Sequence, residues 1–188
     1  MKRHGWSISD WRQHATLKLS REHAIDPDQV ESIHVLIAEP AVPLICEPLE
    51  SKRKPDSSYG AQFSLPYAIA SCLERGKFGL PELEEPSYTD PALRALGQRM
   101  TYAIDPNPGF PKFRSGEVHI KMKNGTEFKR REQVVPDEPA PEEAILEKFM
   151  NNAQLCMSSA RAITIRDMIL GVEALADTRD LAACLAAQ

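Results

Sequence analysis

The spacing of apolar and polar residues predicts a helix and then a strand at the start of the chain. Residues 7–22 have apolar side chains at the spacing of one helix face: Ile8, Trp11, Ala15 and Leu19. Residues 31–37 instead alternate with a period of two, which places three β-branched residues on one face: Ile33, Val35 and Ile37. We expect this strand to bury that face in the core.

Two further helices are predicted from the residues at their ends. Ser64 can cap a helix over 64–75, and Gly76 can end it in a left-handed conformation. Asp90 followed by Pro91 is typical of an N-cap and the first position of a helix. The apolar residues of this second helix follow at helical spacing: Leu93, Leu96 and Met100.

A β-hairpin over 117–131 is predicted around Asn124 and Gly125. A two-residue loop would pair apolar with charged side chains across one face of the hairpin. A three-residue loop instead sets Ile120 opposite Phe128 and keeps the apolar residues together. We therefore predict the longer loop, with Gly125 left-handed at a bulge.

The C-terminal part of the sequence predicts helices only. One begins at Pro141 and has an apolar face: Ile145, Phe149 and Ala153. Thr164 and Asp167 resemble a capping box that starts another, and Thr178 is expected to cap a last short helix. The apolar stripe behind Thr164 is wide: Ile165, Met168, Ile169, Val172 and Leu175. Left uncovered, such a stripe marks an interface, so we expect self-association or packing onto the preceding domain.

Together these elements predict an α+β fold. A small antiparallel sheet, made of strand 31–37 and hairpin 117–131, would pack with helices in a domain over residues 1–135. A C-terminal helical segment would follow over residues 136–188.

Composition excludes several classes of protein. The 188 residues are 42% hydrophobic and 27% charged, close to globular averages. A net charge of -4 lacks the basic excess of a nucleic-acid binder. No apolar run reaches the roughly 18 residues of a membrane span, and no secretory signal is recognised. We therefore expect a cytoplasmic protein with no membrane or nucleic-acid partner.

The 15 prolines, four of them within 39–58, exclude a smooth helical bundle.

Candidate chemistry lies around the helix predicted over 64–75. The run Lys52, Arg53 and Lys54 precedes it; such runs are usually solvated, but these side chains also bind carboxylates. Tyr67 lies in the first turn, where its hydroxyl could donate a proton or hydrogen bond to a developing enolate. The structural alternative is a half-buried core tyrosine.

A metal site is not predicted. The four cysteines form no C-x-x-C pair, and the five histidines are scattered: His4, His14, His23, His34 and His119. His14 and His23 are too far apart in sequence to share a site on one helix. His34 and His119 lie in predicted strands, where we expect solvent-facing or core-edge roles.

The segment that contains Tyr67 resembles a known family. The run from Gly60 to Ala70, GAQFSLPYAIA, followed by Gly76, is similar to a signature in the second domain of the MmgE/PrpD family. That family includes 2-methylcitrate dehydratase, cis-aconitate decarboxylase and iminodisuccinate epimerase. Further segments follow in the family's order: 23–35, Asp90-Pro91, Asp105-Pro106, the strand pair 118–128 and the tail 142–185. The resemblance covers nearly the whole chain.

The resemblance implies a large helical domain and a smaller α+β lid domain, with the active site between them. It implies lyase or isomerase chemistry on small di- and tricarboxylates, without a metal or organic cofactor. Tyr67 takes an active-site role by its match to the signature. The substrate-binding candidates are Lys52, Arg53, Lys54, Ser64 and Lys2, the last by its match to a family lysine before the first lid helix.

In the family, the general acid and base residues lie on the helical domain, and this sequence resembles the lid and the closing helices. We therefore expect little turnover from this chain alone. Its expected partners are a small carboxylate substrate, a second copy of the chain, and a helical domain on a missing segment or a separate chain. One alternative is a non-catalytic module, derived from a lid, that binds a partner or a metabolite. Another is an unrelated globular domain with chance similarity.

Overall fold

The computed structural model describes residues 10–135 and 141–186. The chain forms two compact units, Met1–Asp137 and Glu138–Gln188. No helix within the described ranges is long and apolar enough to cross a bilayer. Ile8, which was predicted to continue the face of the first helix, lies outside these ranges, as do residues 136–140 of the acidic, proline-rich link.

The first unit combines a sheet with helices. Its strands are β1 (Val30–Ile37), β2 (Met100–Ile104), β3 (Arg114–Met122) and β4 (Glu127–Val134). Its longer helices are α1 (Asp10–His23), α5 (Leu65–Arg75) and α7 (Pro91–Gln98). Short helices lie between them: α2 (Val42–Ile45), α3 (Leu49–Arg53), α4 (Ser58–Gln62) and α6 (Glu85–Tyr88). The prolines of 39–58 thus leave only short helical pieces.

The sheet has the strand order β2-β1-β3-β4. β1 pairs antiparallel with β3 and β3 antiparallel with β4, whereas β2 lies parallel to β1. The α+β class is confirmed, but the sheet is mixed because it includes β2, which was not predicted. Met100 continues the helical spacing of Leu93 and Leu96, yet the helix ends at Gln98 and Met100 opens the strand.

The hairpin has the predicted register. Ile120 lies opposite Phe128, and the Gly125 N–H donates to the Met122 carbonyl over 2.9 Å. Gly125 has a φ of +86°, the left-handed conformation that the three-residue loop requires. The side-chain argument therefore selected the correct loop.

Helix ends were predicted correctly where a single cap decides them. The Ser64 hydroxyl accepts the Tyr67 N–H, Gly76 has a φ of +66°, and the Asp90 carboxylate accepts the Ala92 N–H. Each of these caps satisfies a backbone group that the helix itself leaves free.

Two of the three predicted starts of the C-terminal helices were wrong, whereas Pro141 is the N-cap of α8 (Glu142–Ala153), as expected. The helix expected at Thr164 is α9 (Ser159–Leu170), and its N-cap is Ser158, which accepts the Arg161 N–H. Thr164 lies inside that helix, where its hydroxyl donates to the Ala160 carbonyl. In the last helix, α10 (Thr178–Leu185), Asp177 is the cap, one residue before the predicted Thr178.

The second unit contains α8 (Glu142–Ala153), α9 and α10, with α9 packed against the other two. The predicted stripe from Ile165 to Leu175 is not one helix face, because α9 ends at Leu170 and a short 3-10 turn follows. Several apolar side chains of this unit are exposed: Ile145, Leu155, Ile163, Ile169, Leu170, Val172 and Leu185.

Helix α1 lies on β3 through a contact between Trp11 and Gly116. The indole is only 3% exposed, and a Cβ built at Gly116 would lie 1.5 Å from its Cη2 atom. No residue larger than glycine fits beneath the ring. Ala15 and Leu19 continue the buried face of the helix, as predicted.

A buried ion pair closes the end of the sheet. The Asp105 carboxylate, which is inaccessible to solvent, accepts from the Arg131 Nη1 over 2.6 Å and from the Asn107 N–H over 2.9 Å. Burial alone would raise the pKa of Asp105, but these hydrogen bonds outweigh it and lower the pKa below its ordinary value. The carboxylate therefore stays ionised at neutral pH and holds the C-terminal end of β2 to β4.

The Trp11–Gly116 contact makes a prediction about stability. Gly116→Ala forces the indole to move, so we expect the free energy of unfolding to fall by about 3 kcal/mol in urea titrations. Gly97→Ala, within α7, is the matched control. A Cβ at Gly97 would make only ordinary van der Waals contacts with Pro66 of α5. The control should be neutral or slightly stabilising. Equal losses in the two variants would contradict this packing.

The Asp105–Arg131 pair makes a prediction about pH. Arg131→Gln should lower the free energy of unfolding by about 2 kcal/mol at pH 7, because it leaves a buried carboxylate without its charged partner. A carboxyl with a depressed folded pKa stabilises the protein above its unfolded pKa, about 3.9, and that stability is lost as pH falls through the folded pKa.

The difference in free energy of unfolding between wild type and Arg131→Gln should therefore become smaller as urea titrations are taken from pH 4 towards pH 2. Arg179→Gln removes an arginine whose ion pair with Asp177 is local and largely exposed, so it should change stability little. If the difference in free energy of unfolding stayed constant from pH 7 to pH 2, the stabilisation by Arg131 would not depend on the ionised form of Asp105.

Candidate functional site

Lys52 to Lys54 lie where the end of α3 meets the start of α5, and we call this region the α3–α5 junction. The buried Ser64 hydroxyl donates to the Lys52 carbonyl and accepts the Tyr67 N–H. One side chain therefore fixes the basic run beside the first turn of α5. The partial positive charge of that helix end adds to the charge of the lysines.

Lys52 is a cation without a counter-ion among the described residues. Lys52 is a partly buried residue, and its Nζ donates to the Leu44 backbone carbonyl over 2.6 Å in a hydrogen bond that is itself exposed. Burial lowers the pKa of Lys52 below its ordinary value, which is the expected response of an ammonium group with part of its hydration removed. Lys54, two residues further on, is exposed. The junction thus presents two lysines to which an anion could bind.

Arg53 is held by the protein itself. Its Nη1 donates to the Glu50 carboxylate over 2.7 Å, and its Nη2 donates to the Met100 carbonyl over 2.7 Å. Its Nε is buried and has no hydrogen-bond partner within the described residues. These contacts tie α3 to β2, so the guanidinium has a structural task.

Tyr67 lies in the core, and its hydroxyl is bound by a backbone carbonyl. The residue is 1% exposed, and its hydroxyl donates to the backbone carbonyl of Glu82. Its ring meets the edge of Phe78 at 5.8 Å between centroids. Burial raises the pKa of Tyr67 to about 12, so its proton is held more tightly than that of a free tyrosine.

The turn that receives the Tyr67 hydroxyl contains another buried polar group. The Glu82 carboxylate accepts the Gly79 N–H over 2.8 Å and lies 3.5 Å from the Lys77 Nζ. Tyr67 therefore anchors a turn whose acid is itself held in place. Lys2, the remaining predicted site residue, lies outside the described residues.

A second cluster, not predicted as a site, lies on the sheet face opposite the helices. We call it the polar-face cluster: His34, Thr101, Glu117, His119 and Arg131. His34 and His119 are direct partners in the β1–β3 register, with ring centroids 6.2 Å apart. The alternation in each strand predicts which way these side chains point. Their proximity depends on the register between two strands far apart in sequence, which no local pattern reveals.

Each imidazole in the polar-face cluster has one nitrogen engaged. The His34 Nδ1 lies 2.9 Å from the Thr101 Oγ1, and the His119 Nε2 is paired with the Glu117 carboxylate. The second oxygen of that carboxylate accepts from the Arg131 Nε over 2.9 Å. Burial would raise the pKa of Glu117, but its bonds to His119 and Arg131 lower it.

Residues 10–135 and 141–186 contain no metal site formed by three or more side chains. No three or more His, Cys, Asp or Glu side chains there are placed to share a metal ion. The four cysteines, Cys46, Cys72, Cys156 and Cys184, are free thiols.

Comparison with known proteins assigns most of the chain to one family. Residues 11–173 match the family described as the MmgE/PrpD C-terminal domain, a range that includes the whole sheet, the α3–α5 junction, α8 and α9. No curated protein matches the chain. Because the match covers most of the 188 residues, the chain belongs to the MmgE/PrpD family, and it carries that family's C-terminal domain.

Proposed function

We propose that this protein is the carboxylate-binding lid of an MmgE/PrpD lyase or isomerase that acts on small di- or tricarboxylates, as 2-methylcitrate dehydratase does. The observation that carries the proposal is Lys52, a partly buried lysine whose ammonium group has only a backbone carbonyl as its partner among the described residues. A partly desolvated cation is stabilised by an anion that takes the place of its lost water.

The α3–α5 junction suits a substrate with several carboxylates. Lys52 and Lys54 offer two ammonium groups two residues apart in the sequence, and the Lys52 backbone is bonded to Ser64 at the positive end of α5. Lysine acts as a compact point charge with rotatable donors, so it accepts carboxylates in different orientations. In this proposal Arg53 and Ser64 hold the lysines in place instead of contacting substrate.

Chemistry in this proposal is shared with a helical domain, in the same protein or in a partner chain. The family resemblance assigns the general acid and base to that domain, and the lid closes over the bound carboxylates. Closure excludes water, which strengthens the attraction between the lysines and the substrate. The reaction classes are proton abstraction beside a carboxylate, elimination and decarboxylation, and the proposal involves no metal or organic cofactor.

Tyr67 takes a positioning role in this proposal. The resemblance implies an active-site tyrosine, but the contacts of this one support a different task. Its hydroxyl secures the turn Pro81–Leu83 against α5 through the Glu82 carbonyl. The hydroxyl thereby stabilises the packing of this turn on α5, while Ser64 holds the Lys52 backbone at the start of that helix.

A second candidate function is a non-catalytic interaction module. The observation that favours it is the set of exposed apolar side chains in the second unit, such as Leu170 at 58% exposure and Leu185 at 53%. Exposed apolar side chains that form a patch mark a protein interface. This candidate predicts a homo-oligomer that binds no small carboxylate.

The carboxylate proposal predicts that the isolated chain binds citrate, a tricarboxylate, more tightly than acetate in calorimetric titrations. Lys52→Gln and Lys54→Gln should each weaken citrate binding about fivefold, since each removes one charge-assisted hydrogen bond. Lys123→Gln, in the exposed hairpin loop, is the matched control and should leave the affinity unchanged.

Two outcomes would count against the proposal. Equal citrate affinity in wild type, Lys52→Gln and Lys54→Gln would refute a carboxylate site at the junction. A dimer by light scattering without citrate binding would then favour the interaction module. The same preparations should give no turnover of cis-aconitate by ultraviolet absorbance, and robust turnover would refute the shared chemistry.

The positioning role of Tyr67 is tested separately. Tyr67→Phe removes the hydrogen bond to the buried Glu82 carbonyl, so we expect the free energy of unfolding to fall by about 1–2 kcal/mol. Citrate affinity, measured at a temperature where the variant is fully folded, should stay within twofold of wild type. A tenfold loss of affinity in a fully folded variant would instead place the hydroxyl on the ligand.

A further inference from the structure

The polar-face cluster places two imidazoles side by side on neighbouring strands. His34 of β1 and His119 of β3 are opposite each other in the antiparallel register, and their rings meet edge to face at an interplanar angle of 80°. We infer that these two histidines form a binding site for a divalent transition-metal ion that prefers nitrogen ligands: Ni²⁺, Cu²⁺ or Zn²⁺.

The separation of the rings is close to that of two rings on one shared ion. Metal–imidazole bonds are about 2.0–2.1 Å long, so a bound ion lies about 3 Å from the centre of each ring. Two rings on one ion therefore have centroids about 4–6 Å apart, and those of His34 and His119, at 6.2 Å, lie slightly beyond that range. Binding one ion therefore requires side-chain rotations that bring the two rings closer together.

Both rings are already oriented by neighbouring side chains. In metal sites, the nitrogen that does not bind the ion is usually held by a carboxylate or another polar group. Here Thr101 holds the His34 Nδ1 and Glu117 holds the His119 Nε2, which leaves one nitrogen on each ring for the ion. Arg131 fixes Glu117 in turn, and the buried Asp105 fixes Arg131.

The charges around the two rings disfavour an anion at this position. The Arg131 guanidinium is already paired with two carboxylates, those of Asp105 and Glu117. Lys121 is paired with Glu31 over 3.0 Å, while Lys129 lies opposite His119 in the β3–β4 register. Apart from Lys129, which is exposed, these charged groups are paired, and the imidazole lone pairs are the neutral binding groups that remain.

The chemistry of two imidazoles sets the kind of ion and the strength of binding. Imidazole suits Ni²⁺, Cu²⁺ and Zn²⁺, whereas Mg²⁺ and Ca²⁺ prefer oxygen ligands. No third His, Cys, Asp or Glu within the described ranges completes a larger ligand set, so water must fill the other positions. Binding should accordingly be weaker than at a structural site with four protein ligands. This site is independent of the carboxylate site proposed above.

The test uses the full chain without a histidine tag and titrates it with Ni²⁺ alone by calorimetry. We expect one ion per chain, and a loss of affinity of at least tenfold in His34→Gln and in His119→Gln. His23→Gln is the matched control, because His23 is an exposed histidine on α1 that stacks on Phe128, away from the two rings. It should bind Ni²⁺ as wild type does.

A spectroscopic measurement keeps the test decisive if a variant folds poorly. Electron paramagnetic resonance of wild-type protein with one equivalent of Cu²⁺ should show hyperfine coupling to two imidazole nitrogens. Unchanged Ni²⁺ affinity in both His34→Gln and His119→Gln would overturn the inference. So would loss of binding in Cys156→Ser, which would assign the ion to that exposed thiol, or wild-type affinity weaker than about 1 mM.

Discussion

The position of α1 on the sheet depends on the absence of one side chain. Gly116 lies in the middle of the sheet, opposite Ile37 of β1 and Glu132 of β4, and the Trp11 ring occupies the space above it. Because the ring sits this deep, Ala15 and Leu19 also reach the core along the same helix face. The ion pairs Lys18–Glu132 and Arg130–Glu22 then close the rim between α1 and β4. The core thus includes a tryptophan ring packed directly on a glycine.

Features that depend on neighbouring residues could be predicted from the sequence. Caps such as Ser64 and Asp90 satisfy backbone groups within the same helical turn, and the hairpin register followed from which residues must share a face. The error at α9 has the same local origin. Ser158 and Thr164 both precede plausible first turns, and the pattern of sequence alone did not show that a helix starting at Ser158 runs through Thr164.

Features that depend on distant residues could not be predicted. β2 has only five residues, and its first one, Met100, fits the periodicity of the preceding helix; its pairing with β1 decides its structure. The same limit applies to the candidate sites. The run Lys52 to Lys54 was recognisable, but the partner of Arg53 on β2, the partner of Tyr67 at Glu82 and the meeting of His34 with His119 all arise from tertiary packing.

The position of β1 in the sheet affects how the chain can assemble during synthesis. β1 is an inner strand, but both of its neighbours come from much later in the chain: His34 and its partner Thr101 are 67 residues apart. As the chain leaves the ribosome, β1 emerges with both edges unpaired and waits for β2 and β3. The long intervening segment must be ordered before these strands can pair. That ordering costs conformational entropy, which only the later contacts offset, so the sheet forms late and slowly. Until then its apolar strand is open to other chains.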